Sequence, residues 1–104
     1  MSRGINANSF AVVVKSVSSP GTAEQMDAYI IPDGLSVWVT ARQLNNAQMY
    51  IAFSQANAQT DTARKELVPG QSFELCIDNT TRIWFDADDA TDQLEFCIMK
   101  SSQH

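Results

Sequence analysis

The feature that most constrains this chain is a two-residue alternation of apolar and polar side chains that recurs segment after segment. Leu35, Val37, Val39 and Ala41 alternate with Ser36, Trp38, Thr40 and Arg42. Met49, Ile51 and Phe53 alternate with Tyr50, Ala52 and Ser54, and Phe73, Leu75 and Ile77 with Glu74, Cys76 and Asp78. Leu94, Phe96 and Ile98 alternate with Glu95, Cys97 and Met99. Successive side chains of a strand point to opposite faces, so this period marks strands with one buried face. Segments 12–17, 25–31 and 82–86 read as further strands, and 64–68 as an eighth.

The breaks between these segments carry turn chemistry. Ser19-Pro20-Gly21, Pro32-Asp33-Gly34, Pro69-Gly70 and Asp78-Asn79-Thr80-Thr81 separate consecutive strands. Proline presets φ and glycine accepts positive φ, so each break reverses the chain at little strain. No segment carries an apolar stripe of helical period. The best helical candidate, 56–64, is polar on every side and is expected to be a long loop. The expected fold is all-β: an antiparallel β-sandwich or jelly-roll-like small barrel of seven to eight short strands. At 104 residues it holds one domain, read as an arm over 1–9, a sandwich over 10–100 and a tail over 101–104.

Charge and composition narrow the function. Lys+Arg number 7 against 12 Asp+Glu, a net charge of −5. That balance opposes nucleic-acid binding, which rests on cationic contacts to phosphate. The longest apolar runs, 10–14 and 49–53, are five residues each, against about 20 for a membrane-spanning helix. The opening Met1-Ser2-Arg3-Gly4 leads into polar Asn6-Ala7-Asn8-Ser9, without the apolar middle of a secretory signal. Synthesis in the cytoplasm is the expectation. Cys76 and Cys97 are too few for a disulfide scaffold, and in a reducing compartment free thiols are expected. A bridge between them requires that their strands be neighbours.

The search for catalytic chemistry is short. The single histidine is His104, the last residue, so no internal Ser/His or Cys/His pair exists. Four glycines form neither GxGxxG nor P-loop spacing. Neither enzymatic activity nor a cofactor is expected. Asp86, Asp88, Asp89 and Asp92 gather four carboxylates that a hard cation such as Ca²⁺ takes as ligands, but the glycine and closing glutamate of an EF-hand loop are missing. A solvated hairpin loop is the plainer account. Glu74 and Glu95 could face each other across strands, but a chain this small has little material for the cleft that acid/base work needs.

The informative residues are apolar ones at the opposite parity. Trp38, Tyr50, Trp84, Cys76, Cys97 and Met99 fall on the side of their strands away from the main apolar set. Grouped on neighbouring strands they would make a patch on the order of several hundred Å², the size of a protein-docking site. Barrel curvature, bulges or the long loop would instead cover some of them. Trp38, Tyr50, Trp84 and Met99 are the expected anchors, given the enrichment of these residue types at interface cores.

Longer strings carry a resemblance. Gly21-Thr22-Ala23-Glu24-Gln25-Met26 and Tyr29-Ile30-Ile31-Pro32-Asp33-Gly34-Leu35-Ser36-Val37-Trp38-Val39-Thr40-Ala41 are followed by the Asn45-Asn46 turn and by Tyr50-Ile51-Ala52-Phe53-Ser54. Then come Leu67-Val68-Pro69-Gly70-Gln71-Ser72-Phe73-Glu74-Leu75, Ile77-Asp78-Asn79 and Ile83-Trp84-Phe85-Asp86-Ala87. This succession, over about residues 21–100, resembles small all-β virion proteins of tailed bacteriophages, and departs from their pattern at Ala52, where they have glycine. The resemblance implies a jelly-roll-like structural protein of the virion that decorates or cements the capsid as an oligomer. Its partner would be the major capsid protein or another virion protein. Alternatives are a head-fibre or tail component contacting the host, and a carbohydrate-binding sandwich in which Trp38 or Trp84 stacks on sugar rings.

Overall fold

The computed structural model describes residues 12–100. Within them lie eight strands: β1 (Val12–Ser16), β2 (Glu24–Gln25), β3 (Leu35–Ala41), β4 (Met49–Ala52), β5 (Lys65–Leu67), β6 (Ser72–Leu75), β7 (Trp84–Ala87) and β8 (Gln93–Lys100). They form two antiparallel four-stranded sheets, one ordered β1-β8-β3-β6 and the other β2-β7-β4-β5. The first is called sheet A below and the second sheet B. The nested pairs β1:β8 and β3:β6 share sheet A, whereas β2:β7 and β4:β5 share sheet B. Every connection but the β4–β5 one therefore crosses between sheets. That is the jelly-roll way of wrapping one long antiparallel hairpin.

The alternation decides what lies between the sheets. Val37, Val39, Ala41, Leu75, Leu94 and Phe96 of sheet A meet Met49, Ile51, Leu67, Phe85 and Ala87 of sheet B in one continuous core. Phe85 and Phe96 span the gap, their ring centroids 5.8 Å apart at an interplanar angle of 60°. Such tilted aromatic pairs add about 0.5–1.5 kcal/mol beyond the area they bury. The Pro69-Gly70 turn works as its sequence requires. Gly70 adopts φ +88°, and its N–H donates to the Ala41 carbonyl at 2.8 Å, tying the turn to the end of β3.

Three expectations fail locally. Segment 25–31 pairs as a strand only at Glu24–Gln25, with an isolated bridge at Ile30. Thr80 takes the place of a ladder there. Its buried hydroxyl donates to the Asp27 carbonyl and accepts from the Tyr29 N–H at 2.8 Å. Thr80 itself starts a short 3-10 turn, Thr80–Arg82, capped by the Asn79 side chain, so β7 begins at Trp84 rather than at residue 82. The stretch 56–64 is not loop throughout. It opens with a single helical turn, α1 (Gln55–Ala58), capped by Ser54 and burying Ala58. Among the described residues no helix is long and apolar enough to cross a membrane. The expected arm over 1–9, and the tail with His104, lie outside the described residues.

Candidate functional site

The topology separates the four expected anchors. Trp38 and Met99 belong to β3 and β8 of sheet A, and Tyr50 and Trp84 to β4 and β7 of sheet B. In each sheet the outward parity points away from the other sheet, so the two pairs face opposite sides of the molecule. The single four-residue patch expected from the sequence is therefore corrected to two faces of different character.

On sheet B the outward Tyr50 is covered by the chain itself. Tyr50 is 4% exposed. The Arg64 guanidinium carbon stands 3.5 Å from its ring centroid, and its hydroxyl donates to Asp88 Oδ2 at 2.6 Å. Burial, helped by the Asp88 carboxylate, pushes this phenol up to about 12. Arg64 is held in place through Nη1 to the Ala58 carbonyl at 3.2 Å and Nη2 to Asp61 at 2.8 Å. The turn α1 packs on β4 and β7. It is pinned by Gln55 Nε2 donating to the Ala23 carbonyl and by Gln59 Oε1 accepting from the Ala23 N–H. Tyr50 is thus a member of an internal cluster and not an exposed anchor. The sequence had offered the covering loop as the other reading, and at Tyr50 that is what the structure contains. Trp84 is half-buried, in register with Gln25 and Ala52.

Sheet A presents a different outer face. Ladder partners share a side of the sheet, so Cys97, Trp38 and Glu74 form one row across β8, β3 and β6. Val14, Glu95, Thr40 and Ser72 form a second row, and Met99 lies beside Ser36 in a third. Trp38, Cys97 and Met99 are half-buried and Val14 is exposed. Ser36 is buried and donates to Glu74 Oε2 at 2.6 Å. Trp38 Nε1 is buried without a hydrogen-bond partner among the described residues. Among the described residues no helix or strand packs across this face as α1 does on the other. Burial, with the Glu95 carboxylate nearby, holds the Cys97 thiol above its ordinary range.

The remaining candidates disperse. Cys76 and Cys97 form no disulfide. Cys97 lies in β8 and Cys76 directly follows β6, with β3 between those strands, so two strand spacings, about 9.6 Å, separate them, beyond the ~7 Å Cα limit for a bridge. Glu74 and Glu95 are likewise kept apart by β3. The four aspartates bond to different donors. Buried Asp86 accepts from the Gly21 and Ala87 N–H groups, and Asp88 accepts from Tyr50. Asp89 accepts from the Thr91 N–H and hydroxyl and from the Asn46 amide. Asp92 is 1% exposed and accepts from the Asn46 and Ala47 N–H groups at 2.7 and 2.8 Å. Together they clasp loops and are not aimed at a common centre. Among the described residues no group of three or more His, Cys, Asp or Glu side chains could hold a metal ion.

Sequence reasoning missed one feature. Phe53 and Phe73 carry the inward parity, yet they are 60% and 38% exposed. Both sit where the two sheets part, beside edge strands β5 and β6, and an inward side chain at such an edge has nothing opposite to cover it. Strand order was the missing signal. Comparison with protein-family models, with curated proteins and with solved structures finds no match for the chain.

Proposed function

We propose that this protein works by protein–protein contact as a structural component of a tailed-bacteriophage virion, most concretely as a decoration protein that cements the capsid. The observation that carries the reading is the outer face of sheet A. There Trp38, Cys97 and Met99 lie half-buried in adjacent rows, with exposed Val14 on β1 beyond them, and no described helix or strand packs across them. Jelly rolls are recurrent building blocks of viral shells, and also of lectins. The resemblance of the sequence to phage virion proteins selects the first of these.

The mechanism is addition of buried area. Docking dries the Trp38–Met99 patch against a capsid subunit, and the Glu74 and Glu95 carboxylates at its margin favour a partner with basic residues at the rim. A stable contact buries about 1,000 Å² or more, and repeated attachment around a shell compensates for weak single contacts. Quantitative mass spectrometry of intact particles tests the role: a copy number matching the shell subunits supports decoration, and a handful of copies supports a head-fibre or tail position. Purified chain that saturates bare shells as a monomer, with Trp38→Arg abolishing saturation, identifies the face. Equal saturation by Trp38→Arg removes it.

A further inference from the structure

The mouth between the sheets forms a hollow of about 230 Å³ lined by Ile51, Ala52, Phe53, Ala63, Phe73 and Leu75, with Lys65 and Asn57 as its polar members. Its floor reaches the core, for Ile51 is 3% exposed and Leu75 9%. Its walls are two partly exposed phenyl rings. No carboxylate of the described residues lines it, although the chain carries a net charge of −5. Among the described residues Lys65 makes no ion pair, and its ammonium lies 5.4 Å from the Phe73 ring centroid. A neighbouring hollow lined by Phe53, Cys76, Ile77, Asp78 and Arg82 differs in this respect, because Arg82 is already engaged by Asp78 at 2.7 Å.

From these observations we infer that the mouth beside β4, β5 and β6 is a binding site for a small aromatic carboxylate. A ring entering between Phe53 and Phe73 dries both and meets them in offset or tilted contact. A carboxylate on a short stem then reaches the Lys65 ammonium in a charge-assisted hydrogen bond, with the Asn57 amide as a second donor. The size agrees. The volume equals roughly eight waters at about 30 Å³ each and falls below the ~300 Å³ at which drug-sized sites begin. One ring with a short acidic stem fits that space. The site is independent of the face proposed for capsid docking, which lies on the outside of sheet A.

Titration of the full chain with phenylacetate, followed through backbone amide resonances, tests this. Saturable shifts are expected at Ala52, Phe53, Lys65 and Phe73. Phenethyl alcohol, the neutral analogue, should bind the same positions more weakly. Lys65→Gln should weaken phenylacetate about threefold and leave phenethyl alcohol unchanged, as for a single solvent-facing ion pair. Phe53→Ala, at an exposed position that leaves the core intact, should weaken both probes. The inference is overturned by the absence of saturable shifts, by saturation elsewhere, or by a Lys65→Gln substitution that changes acid and alcohol binding by the same factor. It is overturned too if these resonances move with protein concentration alone, which would make a second copy of the chain the occupant.

Discussion

The outer faces of the two sheets begin from the same sequence pattern and end differently. Each carries aromatic side chains at the outward parity: Tyr50 and Trp84 on one, and Trp38, with the sulfur-bearing Cys97 and Met99, on the other. On sheet B the loop from 53 to 64 folds back over the strands, and Arg64 roofs Tyr50. On sheet A no described element does this, and the apolar row stays at the surface. The lesson is that outward apolar residues do not by themselves announce an interface. What separates internal cover from a docking face is whether the connecting loops are long enough, and placed, to close over them. The β4–β5 connection is; those flanking sheet A are not.

This contrast is sharpened by mutation, in descending order of effect. Tyr50→Ala removes a buried ring and should cost the isolated chain about 3–5 kcal/mol, a fall in melting temperature of more than about 12 °C for a domain of this size. Tyr50→Phe keeps the ring and loses only the bond to Asp88, whose exposed carboxylate turns to water, with an expected loss of about 0.5–1.5 kcal/mol. Trp38→Ala should cost the isolated chain only about 1 kcal/mol or less, as at other half-exposed positions. In particle binding it should cost more than about 1 kcal/mol, as anchors do. If calorimetry finds Trp38→Ala as destabilising as Tyr50→Ala, the two faces are not different in kind.

Titration offers a quieter test. The Tyr50 phenol is raised to about 12, from an ordinary value near 10. Above pH 10 the unfolded chain has lost this proton while the folded chain retains it, so the folded state binds more protons there. Stability that is complete below pH 10 is therefore lost as pH rises toward about 12. Tyr50→Phe should lack this component of the alkaline slope, and the late phase of phenolate absorbance should disappear with it. The smallest expected effect is at Cys97. Its raised, half-buried thiol should alkylate slowly, and removing its ladder neighbour in Trp38→Ala should speed the reaction. An unchanged rate would mean that Trp38 does not shield it.

Most of the fold was legible because the dominant signal is periodic. Leu35 to Ala41 reads as a strand from its alternation alone, and Pro69-Gly70 reads as a turn from its backbone chemistry. The 25–31 segment failed because Thr80, far along the chain, supplies the hydrogen bonds that a ladder would have supplied. The candidate site was legible only by halves. Parity shows which way Trp38 and Tyr50 point, but burial depends on what lies above them, and the roof over Tyr50 comes from a loop whose own composition is polar. Phe53 and Phe73 were misplaced for the converse reason: inward parity buries a side chain only where another strand stands opposite. Strand order, which sets both outcomes, leaves no mark on any local window of residues.

The claim on which the functional reading stands is that a partner dries the outer face of sheet A. Trp84→Phe leaves Trp38 as the single tryptophan, so quenching of its fluorescence by a soluble quencher reads the exposure of that face alone. Measured on the free chain and on the chain bound to purified capsids, quenching should fall sharply on binding. Equal quenching in both states would contradict the account.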